Sequence, residues 1–299
     1  MVVASTAAAS RARPRQVPAR TSGLGKTLLF VAVFMYLVLP MVAVILYSFA
    51  SSWTANVLPD GYTLRWWGEV FTDDAIVSAF ETSIVLATVV AILDVAIVVP
   101  AVYWARVRNH RIRFLVEPAA AIPFALPYLV IGFALLQFAG YVAPGLQGTM
   151  PLLVLAYVAI AFPFVYWAVD GSMAASGIER LSEAAETCGA TPTQIVRRVV
   201  LPNIRPGIVS GALLAWATSF GEFAIVQTIA RGVYTVPVWS AEQIRSYTGE
   251  PGAFNRLAAV TTINFIVLFV LSAIVVYRNQ GRSVGLFSRA SRREGGTEG

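Results

Sequence analysis

The chain has 299 residues, of which 57% are hydrophobic and only 13% charged. Soluble domains carry about 25% charged residues, so this composition excludes an ordinary water-soluble fold and makes lipid the solvent for most of the chain. The net charge of +6 does not indicate nucleic acid, because the basic residues lie in loops between apolar runs rather than on one module with interleaved aromatics. A single cysteine, Cys188, and a single histidine, His110, exclude an intrachain disulfide and a thiolate–imidazole metal site.

Residues 1–26 read as a disordered basic tail rich in Ala, Ser, Arg and Pro. At its end, Gly23-Leu24-Gly25-Lys26-Thr27 is superficially like a phosphate loop. Arg20 stands where the pattern requires its first glycine, no strand precedes the segment, and it abuts an apolar run, so no nucleotide site is expected. The next segment, 27–278, holds six apolar runs at about 28–49, 78–104, 114–140, 150–172, 207–230 and 258–277. Each is long enough to cross a hydrocarbon core of roughly 30 Å as a helix. None alternates as a barrel strand does. The fold class is therefore all-α and integral to the membrane, with six transmembrane helices, followed by a tail over 279–299.

The first interspan loop, Ala50 to Val77, contains Trp53, Trp66 and Trp67 and is expected to hold a short segment lying at the membrane interface. Span three is interrupted by Pro118, Pro123, Pro127 and Gly132, and span four by Pro163. Such interruptions need neighbouring helices or water to satisfy the freed carbonyls. Eighteen of the 22 basic residues fall in the two termini and in the second and fourth loops. By the positive-inside rule those segments, and both termini, are cytoplasmic.

The fourth loop, 174–206, is the most informative stretch. A first short helix is expected from about Ile178 to Cys188, stopped by Gly189 in a left-handed cap. It places Leu181, Ala184, Ala185 and Cys188 on one stripe, and Glu179, Glu183 and Glu186 on another face. A second helix is expected from Thr191, capped with Gln194 in a capping box, opened by Pro192 and ended before Pro202. Helices of about ten residues are marginal alone in water, so this pair must pack on something. It fits a docking element for another protein, and equally an amphipathic connector on the membrane surface.

Glu183-Ala184-Ala185, three residues, Gly189, nine residues, then Val199-x-Leu201-Pro202 resembles the EAA signature of binding-protein-dependent ABC importer permeases. The likeness covers about 27–277. It implies a type I importer fold in the plasma (inner) membrane of a prokaryote. It also implies a second permease subunit, identical or a paralogue, a dimer of cytoplasmic ATP-binding subunits, and an extracytoplasmic substrate-binding protein. ATP is then bound by the partner, and this chain carries no cofactor, metal or catalytic residue of its own. Carried over position by position, Glu183, Ala184, Ala185, Glu186 and Gly189 form the ATPase-coupling element. Leu201 and Pro202 hold it against the transmembrane core.

Ionisable residues within spans are costly, and Asp94, Asp170 and Glu222 are the acids found there. Glu222, Gln137, Gln227 and Asn264 fall at similar depth and form a candidate polar ring along the substrate path. Ordinary interhelical hydrogen bonding accounts for such residues equally well. For the solute, Tyr62-Thr63-Leu64-Arg65-Trp66-Trp67 and Leu126-Pro127-Tyr128 resemble the spermidine/putrescine importer branch. Ser219-Phe220-Gly221-Glu222-Phe223 is similar to a stretch of oxyanion and ferric-ion importers. The alternatives are thus a phosphonate, sulfate- or molybdate-like oxyanion or ferric ion in the same importer class, or a secondary transporter that needs no ATPase.

Overall fold

The computed structural model describes residues 23–53, 56–230, 232–247, 249–250 and 252–294. The expected tail over 1–26 lies outside the described residues as far as residue 22; Gly23 to Lys26 already belong to helix α1, Gly23–Phe49. The part of α1 before Val44 forms a unit by itself, and its described side chains are almost all exposed and apolar from Leu28 onward.

The second unit begins at Val44. A two-stranded antiparallel ribbon, β1 (Ala50–Ser52) with β2 (Gly61–Tyr62), leads to α2, Arg65–Thr72. The interface segment expected in this loop is thus a ribbon and an amphipathic helix, and Trp66 does not point to lipid. Its indole is buried and its Nε1–H donates to the Ala50 carbonyl at 2.8 Å. Asn255 Nδ2 donates to the Tyr47 and Ala50 carbonyls, each at 3.0 Å, fastening the ribbon to the last helix.

Asp73 accepts the Ala75 and Ile76 N–H groups and so starts α3, Asp74–Tyr103, which passes into a π-helical turn, Trp104–Arg108. α4 (His110–Ala125) and α5 (Tyr128–Val142) meet at 109°. Residues 114–140 are therefore one sharply bent pair. The bend falls at Leu126-Pro127, where proline forces its predecessor out of helical conformation. Leu126 has φ −111 and ψ 135. Pro163, in contrast, is absorbed within α6, Met150–Ser176.

α7 spans Ile178–Thr187, and α8, Pro192–Gln194, runs through a second π-helical turn, Ile195–Val200, into α9, Leu201–Phe220. Then come α10 (Ala224–Ile229), α11 (Val236–Arg245) and α12 (Ala253–Glu294). Helix α12 thus continues into the stretch read as a tail; residues 295–299 lie outside the described residues. Among the described residues, five helices are long and apolar enough to cross a membrane, and the bent pair makes up to six.

Two expected boundaries are corrected. The helix from Thr191 does not end before Pro202. The Leu201 N–H bonds back to the Val196 carbonyl, five residues away, and this wider turn moves Pro202 to the second position of α9, where no N–H is required. Asn203 Nδ2 donates to the Val199 carbonyl at 2.7 Å, adding a side-chain bond at this junction. Span five does not continue to 230 either. It stops at Phe220, and the break at Gly221-Glu222-Phe223 separates it from α10.

The main core is made by α3, α6 and α9, with Val98, Tyr157, Ile160, Val165, Ile204 and Ala215 fully buried. Helices α6 and α9 approach through small residues. Gly207, Gly211 and Ala215 recur every four residues on α9 and all are buried, the small-xxx-small spacing by which helix backbones come close in lipid. A second cluster gathers Trp66, Ile76, Phe220, Trp239 and Val260 near the other end of α3.

Candidate functional site

The loop between α6 and α9 is built by its caps. Gly177 ends α6 in left-handed conformation at φ 59, and its N–H bonds to the Ala174 and Met173 carbonyls. Gly189, at φ 79, closes α7 with its N–H on the Glu186 carbonyl at 2.9 Å. Thr191 Oγ1 accepts the Gln194 N–H, while Gln194 Oε1 accepts the Thr191 N–H at 2.9 Å, the reciprocal box that starts α8. Glycine is required at 177 and 189, because a side chain strains a backbone of positive φ.

Helix α7 buries Ile178 and Ser182 completely and rests Ala185 against the core. Leu181, Ala184 and Cys188 face outward, as does Glu183. The expected stripe is therefore divided: Ala185 turns in, and the other three remain exposed. Leu201 and Pro202 do not perform the packing expected of them. Both are exposed, and Ile195, Val200 and Ile204 tie this segment to the core instead. The π-helical turn between them sets which residues face inward.

An acid–base junction not foreseen from the sequence lies beside α7. Arg106, at the end of α3, is nearly buried and donates from Nη2 to Asp170 Oδ2 of α6 at 2.8 Å, with its Nε on Asp170 Oδ1. Its Nη1 donates to Glu179 Oε1 of α7 at 2.8 Å. Arg113 of α4 approaches Asp170 at 4.0 Å, and Arg108 Nη1 stands 2.9 Å from Glu186 Oε1. Four helix ends thus meet at one network. Asp170 is accounted for as a structural acid.

The four residues of the candidate polar ring stand in different surroundings. Gln137 is exposed on α5, and Asn264, on α12, has its Oδ1 buried without a hydrogen-bond partner. Gln227 lines a cleft of about 590 Å³ between α5 and α10, together with Leu129, Phe133, Leu136 and Thr228. Glu222 sits in the break after α9, where its Oε1 accepts the Ile225 N–H at 2.8 Å and its carbonyl accepts the Tyr157 hydroxyl at 3.1 Å. Its side chain organises the start of α10. Among the described residues no hydrogen bond joins these four. Asp94 is fully buried in α3, and both its carboxyl oxygens lack a protein partner.

Residues 97–285, which include the whole loop, match the family described as binding-protein-dependent transport system inner membrane component. The chain belongs to that family. It is an ABC importer permease subunit, a multi-pass protein of a prokaryotic inner membrane. The permease is 30% identical over 253 residues to the putrescine transport system permease protein PotI of Escherichia coli K12, covering 80% of this chain and 88% of that one. It is 31% identical over 243 residues to the sulfate transport system permease protein CysT of Salmonella typhimurium, covering 76% and 79%. In fold, it resembles a chain from the crystal structure of a bacterial ABC transporter that imports the acidic polysaccharide alginate. The TM-score is 0.61 at 15% identity, over 85% of this permease and 95% of that chain.

Proposed function

We propose that this permease takes a polyamine such as putrescine or spermidine from an extracytoplasmic binding protein, pairs with a second permease subunit, and is driven by an ATP-binding subunit docked on α7. The observation that carries the coupling half of this reading is the outward face of α7. There Leu181, Ala184 and Cys188 form an exposed apolar strip beside the exposed carboxylate of Glu183. Small side chains allow close approach, and an acid at the edge meets basic or amide donors. The arginine-rich turn behind α7 supports a cytoplasmic position for this loop and both termini. α2 and α7 adjoin opposite ends of α3, a helix of 30 residues, so roughly 45 Å separates them. That distance lets one end meet the binding protein and the other the ATPase.

The polyamine assignment is supported by the likeness to PotI and by the resemblance of the Tyr62–Trp67 segment to the polyamine-importer branch. The likeness to CysT keeps an oxyanion as the competing solute.

Reconstitution of the assembled complex in liposomes, with its binding protein, tests both halves. ATP-dependent accumulation of radiolabelled putrescine or spermidine is expected. Glu183→Arg and Gly189→Pro should each reduce it at least about tenfold, by charge reversal and by a proline that cannot adopt positive φ, while the protein still inserts. Uptake of sulfate instead would replace the solute. Uptake by this chain alone without nucleotide would replace the mechanism by a secondary transporter.

A further inference from the structure

Arg106 and Arg108 lie two residues apart in the π-helical turn that ends α3, where the Asn109 N–H reaches back five residues to the Trp104 carbonyl at 2.9 Å. Both reach α7, Arg106 at Glu179 and Arg108 at Glu186. These two acids are seven residues apart, two turns along one face, so the arginines hold α7 near both of its ends. Glu183, between them, has no ion pair among the described residues and faces outward.

We propose that Arg106 and Arg108 are positioning residues that clamp α7 to α3 and α6, so that force applied to the exposed face of α7 moves those helices with it. Glu186, which the family resemblance assigns to the ATPase-coupling element, instead serves this internal clamp together with Glu179, and Glu183 is the acid offered to the ATP-binding subunit. The proposal rests on the reading of α7 as the docking element.

Physically, α7 has only ten residues and a narrow buried face, with Ile178 as its one large fully buried side chain. A push on the opposite face can roll so weakly anchored a helix instead of moving what lies behind it. Ion pairs at both ends resist that roll. The inner pair centres on Arg106, which is nearly buried and shared with Asp170, so it joins α7 to α3 and α6 at once. The outer pair is half-exposed, with side-chain exposures of 34% for Arg108 and 42% for Glu186. Exposed ion pairs contribute little to folding, so the outer pair can be altered without unfolding the chain, and coupling can be read separately from stability.

The readout is solute moved per ATP hydrolysed by the complex reconstituted in liposomes, with co-purification of the ATP-binding subunit as the check on assembly. Arg108→Glu places like charges against Glu186 and is expected to lower the ratio about tenfold while the complex still assembles. Adding Glu186→Arg, which restores the pair with its sense reversed, should return it to within about twofold of wild type. An Arg108→Glu complex with the wild-type ratio, or a double variant that stays low, overturns the clamp. Should Arg108→Glu fail to assemble, Arg108→Gln removes the attraction without repulsion; a loss of about threefold supports the clamp and a wild-type ratio overturns it. A wild-type complex with no ATP-driven uptake would overturn the docking reading and the clamp with it.

Discussion

Arg106→Ala should destabilise the folded permease by about 3–5 kcal/mol, the cost of leaving buried charges without a partner. Arg106 is nearly buried and bonds to both oxygens of Asp170 and one of Glu179. With the guanidinium gone, Asp170 keeps only Arg113 at 4.0 Å. Arg106→Lys should recover part of the loss, but not all, because an ammonium cannot bond bidentately to Asp170 and reach Glu179 from one planar group. Pairing Arg106→Ala with Asp170→Asn should also recover part, by removing the stranded charge. Unfolding of the purified variants in detergent by denaturant titration measures these differences. An Arg106→Ala variant as stable as wild type would show that the network contributes nothing.

Gly207→Leu should also be strongly damaging, at about 3 kcal/mol or more. A Cβ on Gly207 stands 2.5 Å from the Ala168 carbonyl oxygen and collides with Ser172 Cβ. The obstacle includes backbone, so no side-chain rotation relieves it, and α9 must move away from α6 along its first turns. Gly211→Leu meets a similar barrier, with Val165 Cα 2.9 Å from the new Cβ. Those turns follow directly on the π-helical segment behind α7, so the displacement also reaches α7. The same unfolding titration and the yield of folded protein after detergent extraction are the measurements. Wild-type stability in Gly207→Leu would mean that α6 and α9 do not approach as closely as described.

The parts of this fold written locally were readable in the sequence. Gly189, Thr191, Pro192 and Gln194 are cap residues whose action depends only on near neighbours, and each does what its chemistry dictates. Pro127 likewise marks the bend of span three. Composition misleads where tertiary geometry decides. Ala224, Ile225 and Val226 continue the apolar run of span five, but Gly221 and the cap supplied by Glu222 break the helix before them. Pro202 reads as a stop, and a π-helical turn makes it a start. The arginine junction was out of reach for another reason. Its hydrogen bonds join residues 64 and 73 positions apart, and no local pattern marks Arg106 as different from Arg111. For the candidate polar ring, equal depth along separate helices does not fix the direction in which each side chain points, so the surroundings of its members were not readable from the sequence.

Cys188 provides the most direct test of the proposed docking of an ATP-binding subunit on α7. It is the only cysteine in the chain and is exposed at the end of α7, on the strip with Leu181 and Ala184. A short photo-activated crosslinker attached to its thiol in the assembled, purified complex should join the permease to the ATP-binding subunit. Glu183→Arg should abolish that product. Crosslinking to the binding protein or to lipid, with none to the ATP-binding subunit, would contradict the account.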